Sequence, residues 1–307
     1  MQKLAMVCSV LVFFTTNCAM AATWTTLDVP GATRTSASGI SGSNIVGQYW
    51  DDSGRSHGFF YDGENYTTLD VPGATDTYAS SIDGKNIVGS YWSGSVFSPR
   101  HSFLYDGENY TIIPDAPGET DTTTLAGISG NNIINSPLSS SRSSLYDGTK
   151  WTSIPGLPEA TLMVATGIDG SNIVVNYENI NDESYSALYD GAKWTIIAFS
   201  IPNAPGVGFS IVESIDGNNI VSTYHDSAGK TLPYSSLYDG AKWTIIPNVP
   251  GAVYSVATDI DGDSIVGYYA SIDGYNYGFI YTVPEPSAMV LLGMSALAML
   301  RIRMRKR

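Results

Sequence analysis

A chain that repeats itself six times at a spacing of about 43 residues has few folds open to it, and this one does so with three separate markers. The triplet Tyr-Asp-Gly starts at Tyr61, Tyr105, Tyr146, Tyr189 and Tyr238, in steps of 44, 41, 43 and 49 residues. Tyr281 follows 43 residues later, without its Asp-Gly. An aromatic-Thr pair keeps the same rhythm at Trp24, Tyr66, Tyr110, Trp151, Trp194 and Trp243. A third marker, Ile-any-Gly, begins at Ile40, Ile82, Ile128, Ile168, Ile215 and Ile260. Units of this length bury their apolar faces by stacking on their neighbours.

Each unit reads as four strands. In the second, Thr77 to Ile82 runs to Asp83-Gly84 and Asn86 to Tyr91 follows, with Ile87, Gly89 and Tyr91 on one face and Val88 on the other. Ser102 to Tyr105 is the third strand, Asp106-Gly107 turns the chain, and Tyr110 to Ile113 is the fourth. Pro-Gly stretches such as Pro72-Gly73, Pro117-Gly118 and Pro250-Gly251 lead to the next unit. Four antiparallel strands repeated six times predict an all-β fold, a six-bladed β-propeller. Trp24 to Val29 reads as a lone fourth strand, and the sixth unit, from about Val256 to Tyr281, has only three. The first strand is therefore expected to complete the last blade. A β-solenoid or an open hairpin array is the alternative. The third unit is the weakest, because Asn135-Ser136-Pro137 interrupts its second strand.

The two ends of the sequence do not share the repeat. Met1 to Ala22 has Lys3, an apolar stretch from Leu4 to Phe14, and Ala19-Met20-Ala21, the order of a secretory signal peptide cut after Ala21 or Ala22. At the other end, Pro284-Glu285-Pro286 leads into an apolar run from Ser287 to Leu300. The basic stop Arg301, Arg303, Arg305, Lys306 and Arg307 follows. A tail anchor or a buried terminal helix could use such an apolar run. The order of motif, apolar run and arginines resembles the PEP-CTERM sorting signal of Gram-negative bacteria. That resemblance implies recognition by an exosortase-type membrane protease, cleavage near the motif, and delivery to the cell surface or extracellular matrix. The C-terminal hydrophobic helix would then be a transient or retained inner-membrane segment. The expected division is a signal peptide over 1–21, a repeat domain over 22–282 and a sorting segment over 283–307.

The units themselves also resemble a family. His57-Gly58-Phe59 and His101-Ser102-Phe103, about 10 residues after Ile45-Val46-Gly47 and Ile87-Val88-Gly89, are similar to the extracellular HAF repeat of bacteria. The resemblance implies no particular activity.

Charge narrows the partners. Six of the 15 Lys and Arg fall in the two terminal segments, leaving nine against 29 Asp and Glu from Ala22 to Pro286, a net charge of −20. Such a surface repels nucleic acid and anionic lipid. It is compatible with cations. Cys8 and Cys18 both lie in the signal peptide, so a mature chain has no thiol for a disulfide, zinc or iron–sulfur site or nucleophile.

Few residues suggest chemistry. His57 and His101 hold one repeat position on two units and read as structural. His225 stands beside Asp226 and Ser227, but adjacency in sequence is not triad geometry. Asp259, Asp261 and Asp263 alternate as calcium ligands can, without the Gly and Glu of an EF-hand loop, and Asp261-Gly262 also reads as a hairpin turn. No phosphate loop, nucleotide fingerprint or nucleophile elbow is present. The periodic Tyr and Trp markers suit packing first and sugar stacking second. The sequence thus suggests an exported, non-enzymatic surface or matrix protein. Its expected partners are a signal peptidase and an exosortase-like protease during export, then exopolysaccharide or envelope components. The alternative is a polysaccharide-active enzyme, which would need carboxylates converging at one end of the ring axis.

Overall fold

The computed structural model describes residues 22–94, 99–119, 123–137, 142–199, 207–226 and 233–283, and Trp24–Thr282 forms one compact unit. Almost all of the signal peptide, together with the Pro284–Pro286 motif and the apolar run Ser287–Leu300, lies outside the described residues. Among those described, no helix is long and apolar enough to cross a membrane.

Strand β1 is Thr23–Leu27. The first blade is β2 (Arg34–Ser41), β3 (Asn44–Trp50), β4 (Ser56–Tyr61) and β5 (Tyr66–Leu69). The second is β6 (Asp76–Asp83), β7 (Asn86–Trp92), β8 (Arg100–Tyr105) and β9 (Tyr110–Ile113). The third is β10 (Thr124–Ser129), β11 (Asn132–Ser136), β12 (Ser144–Tyr146) and β13 (Trp151–Ser153), and the fourth is β14 (Ala160–Asp169), β15 (Asn172–Asn179), β16 (Ser184–Tyr189) and β17 (Trp194–Ile197). The fifth is β18 (Val207–Asp216), β19 (Asn219–Asp226), β20 (Tyr234–Asp239) and β21 (Trp243–Ile246). The sixth has β22 (Ala252–Asp261), β23 (Ser264–Ser271) and β24 (Asn276–Thr282), with β1 beside β24 as its outer strand. This is a six-bladed propeller of antiparallel four-stranded sheets, closed by its N-terminal strand as the sequence predicts.

The markers have local causes. The Gly of each Ile-any-Gly is the first residue of a two-residue turn, at φ between +56° and +60° in all six blades, where a side chain would be strained. In Tyr-Asp-Gly, the Asp62 carboxylate accepts the N–H groups of Glu64 and Asn65 at 2.8 and 2.7 Å, while the Tyr61 hydroxyl donates to the Gly63 carbonyl at 2.7 Å. The aromatic-Thr marker supplies the ring that packs on that Tyr, as Tyr66 does on Tyr61 and Trp194 on Tyr189. The periodic aromatics are therefore packing pairs at the outer strands. Connectors are fixed by buried hydroxyls: Thr35, Thr77, Thr123 and Ser255 accept the N–H of Val29, Val71, Ala116 and Val249.

Residues Ile87 to Tyr91 are all buried, not alternately so, because each blade is covered on both faces by its neighbours. Val46 of β3 shows how: it packs in one cluster with Ala79, Ile82 and Phe103 of the second blade. Val266 of the sixth blade packs in the same way against Ala37, Ile40 and Phe59 of the first, together with Leu27 and Val29. The ring closes through the same apolar contact that joins its other blades.

Side-chain volumes compensate within each blade. Gly47 faces Phe59, Gly89 faces Phe103 and Gly267 faces Phe279 across the second and third strands. At the same position the fourth blade pairs Val175 with Ala187 and the fifth pairs Ser222 with Ser236. A Cβ on Gly47 would lie 2.1 Å from the Ser36 carbonyl oxygen and 2.8 Å from the Phe59 ring. The third blade departs most, with three-residue outer strands as its interrupted sequence suggests.

Candidate functional site

The inner strands line the axis, and each carries a bulge. Register slips between Ala37 and Gly39 in β2, and at the matching place in β6, β10, β14, β18 and β22. The extra residues are Ser38, Ser80, Ala126, Thr166, Glu213 and Thr258. A bulge turns its side chain out of the sheet's alternation. Here hydroxyls reach across to the next blade: Thr166 Oγ1 donates to the Val212 carbonyl at 2.9 Å and Thr258 Oγ1 to the Ala37 carbonyl at 3.1 Å.

At the end of the axis where the two-residue turns lie, six hydrogen bonds form a closed ring. The N–H of Gly84 donates to Ser41 at 3.0 Å, Gly130 to Asp83 at 2.5 Å, Gly170 to Ser129 at 2.9 Å, and Gly217 to Asp169 and Gly262 to Asp216 at 2.8 Å each. Gly42 closes the circuit by donating to Asp261. Each blade thus caps the next. Four carboxylates and two hydroxyls surround the mouth of an axial cavity of about 130 Å³, whose wall also includes Ser38, Ser80, Thr166 and Thr258.

Two acids break the six-fold similarity deeper in. Asp259 stands where the other blades have Gly39, Ser81, Gly127, Gly167 and Ser214. It lines the cavity and is half-buried. It accepts the Ile40 N–H of the first blade at 2.8 Å and the Ser214 hydroxyl of the fifth at 2.5 Å. Burial pushes its carboxyl up to about 6, against the lowering effect of Ser214 and backbone N–H groups. Glu213 stands in a column of small residues, and burial pushes it up to about 7. Tyr268 is raised chiefly by burial, and also by Tyr254, Glu213 and Tyr78. Arg100 lies over the Trp92 ring at 4.5 Å and donates to Ser90 and Thr124; burial lowers its guanidinium.

Asp259→Asn tests the buried acid. The folded pKa of about 6 exceeds the ordinary 3.8, so the stabilising protonated form is fully present below pH 3.8 and is lost as pH rises through 6. An amide in the same place keeps an acceptor for Ile40 and needs no desolvation of charge. The variant is expected to be more stable than the parent by about 2 kcal/mol at pH 8 and no more stable at pH 3.5. Urea titrations across that range decide it; equal pH profiles for the two proteins refute it.

The residues singled out in the sequence lie apart from this channel, except Asp259 and Asp261. Asp261 caps Gly42, and Asp263 is exposed within the turn, so the three alternating aspartates do not converge. Among the described residues, no group of three His, Cys, Asp or Glu is placed to hold a metal ion. His57 is a structural pin on a third strand. Its Nδ1 is 2.8 Å from Asp70 and its Nε2 3.4 Å from Asp51, with its ring on Tyr49. Ser53, backbone N–H groups and His57 hold Asp51 down at about 2. His101 holds the matching place beside Tyr91. The Asp226 side chain and Ser227 lie outside the described residues. Glu213 escaped the sequence reading. Superposing the six units would have shown Glu213 as one acid in a column of Ser, Thr and Ala.

Comparison with known proteins bears on the destination. Residues 282–306 match the PEP-CTERM protein-sorting motif. The chain carries a sorting signal. The motif implies export through an exosortase-type system and sorting to the cell surface. No curated protein matches the PEP-CTERM-bearing chain by sequence. A mutant of the Aleuria aurantia lectin in complex with alpha-methyl-L-fucoside shares the fold at 14% identity and a TM-score of 0.50, covering 85% of this chain and 97% of the lectin. The β-propeller domain of the Trilobed protease from Pyrococcus furiosus, described as having an open velcro topology, shares it at 13% identity and a TM-score of 0.51, over 81% of this chain and 95% of that domain. In this chain, β1 on β24 closes the ring. At these identities the likeness concerns fold alone.

Proposed function

We propose that the chain is an exported binding or structural protein of the cell surface or extracellular matrix, engaging exopolysaccharide or envelope components without catalysis. The PEP-CTERM motif directly after a closed ring carries this reading. Thr282 ends β24 and the matched motif begins there, so the sorting segment follows the last blade directly in sequence. The fold likeness to a lectin crystallised with a fucoside supports a binding role. On this reading a signal peptidase removes residues 1–21 and an exosortase-like protease cuts near Pro284-Glu285-Pro286. The HAF resemblance rests on the repeat markers alone. A polysaccharide-active enzyme is a second reading, favoured by Glu213 and Asp259, the two inner-strand acids that break the six-fold pattern. Against it, Asp259 is already occupied by Ile40 and Ser214.

The test is surface fractionation with intact mass analysis, followed by co-sedimentation with purified exopolysaccharide and envelope extract. The expected result is a surface form lacking Ser287–Arg307 that sediments with one of the two and releases no new reducing ends. Binding to neither overturns the binding role, and release of reducing ends overturns the non-enzymatic one.

A further inference from the structure

We propose that a pocket between the second and third blades, bordered by Asn86, Thr111, Asn131 and Tyr146, binds one neutral sugar ring of a polysaccharide. The inference gives the binding role above a site and rests on it.

The pocket has a volume of about 120 Å³. Its floor is apolar: Leu104 and Ile113 of the second blade pack in one cluster with Ile128 and Ile133 of the third. Thr111, Asn131 and Gly148 of its wall are exposed, so it opens to solvent. The gap has a local cause. A Cβ on the Gly of Tyr-Asp-Gly would meet the facing turn of its own blade at 3.1–3.6 Å in four blades, through Ser43, Lys85, Ser171 and Asn218. On Gly148 the same carbon meets only Asn131, at 4.0 Å. The two turns of the third blade stand further apart, beside its three-residue outer strands.

Polar groups around the gap are unanswered. The hydroxyls of Tyr61, Tyr105, Tyr189 and Tyr238 each donate to the Gly carbonyl two residues on, at 2.7–3.0 Å. Among the described residues Tyr146 makes no such bond, and both it and Gly148 line the pocket. Asn44 of the first blade donates to the Gly84 carbonyl of the second at 3.5 Å. Asn86, its counterpart in the second blade, and Asn131 make no side-chain hydrogen bond among the described residues.

These features select the ligand. No charged side chain lines the pocket, so an ion gains no partner there. Amides and a phenol both donate and accept, as each sugar hydroxyl does. A hydrocarbon would leave them unpaired. An apolar floor under such a rim matches a pyranose, with C–H groups on its face and hydroxyls at its edge. The net charge of −20 from Ala22 to Pro286 opposes a uronate. A cavity of about 150 Å³ holds benzene, so this one takes a single ring rather than a disaccharide.

The experiment is calorimetric titration of the full chain with methyl glucoside, methyl galactoside, methyl mannoside and methyl rhamnoside, beside sodium glucuronate. At least one neutral glycoside is expected to bind in the millimolar range, with glucuronate weaker by about tenfold or more. Leu104→Phe introduces the ring that Phe60 places at the same register position in the first blade. It fills the pocket and is expected to weaken that glycoside by about tenfold or more. Leu188→Phe, the same change in the fourth blade, is the control and should leave affinity within about twofold. Tyr146→Phe removes only the hydroxyl and is expected to cost about threefold or more. Should Leu104→Phe fail to fold, Tyr146→Phe and the glucuronate titration still decide. Binding of none of the four, equal binding of glucuronate, undiminished binding by Leu104→Phe or Tyr146→Phe, or an equal loss in Leu188→Phe each overturn the proposal. A chain that binds none of the four yet still sediments with exopolysaccharide overturns this inference alone. A chain that binds one of them, with the expected losses, yet sediments with neither fraction overturns only the broader reading.

Discussion

Leu27→Asp is expected to leave no folded protein at 25 °C. Leu27 is 1% exposed and sits among Val29, Ala37, Ile40, Phe59 and Val266, where the first and sixth blades meet. Losing the buried leucine removes about 2–3 kcal/mol, and an unpaired carboxylate in that site adds several more. A domain is stable by only about 5–15 kcal/mol, and this change acts on the one seam held by strands from opposite ends of the chain. Thr25→Asp, on the exposed side of β1, is the control and should shift the urea midpoint little. Circular dichroism against urea measures both. A cooperative transition for Leu27→Asp within 1 M of the parent's midpoint, taking m as roughly 1–3 kcal/mol per M, would falsify the view that β1 is essential to closure.

The second large effect concerns volume exchange between blades. Gly47→Val should destabilise by about 3 kcal/mol or more, since its first carbon alone would collide with the Ser36 carbonyl and the Phe59 ring. Phe59→Ala should cost about 3–5 kcal/mol through the cavity it leaves. Together they recreate the Val175–Ala187 pair of the fourth blade. The double variant is therefore expected to be more stable than the sum of the single changes by about 1–3 kcal/mol. Strict additivity would show that backbone spacing, not side-chain volume, sets the choice at this position.

Much of this architecture is legible in the chain because it is written six times. Tyr-Asp-Gly, aromatic-Thr and Ile-any-Gly each report a local hydrogen bond or turn, and local causes survive without knowledge of the neighbours. Burial of Ile87 and Val88 on opposite faces is not local: it depends on flanking blades, so the face assignment over Asn86–Tyr91 did not by itself show that both faces are covered. The inner-strand acids are hidden for another reason. Asp259 reads as one of three alternating aspartates, yet a bulge at the residue before it sets it between Ser214 and Ile40. Glu213 sits on a bulge of β18, and where a bulged side chain points depends on strand register, which one unit's sequence does not show.

The position of β1 has a consequence for how the molecule is made. Trp24 lies on the rings of Phe279 and Tyr281, so the earliest part of the ordered domain to be synthesised finds its partner only when the final strand has appeared. Local hairpins can form as they emerge, but the seam waits for the longest possible loop to close. During that interval the apolar flank of the first blade and the open edge of β24 stand uncovered, a state prone to misassembly between chains. Assembly of this domain is thus timed by its last strand rather than its first.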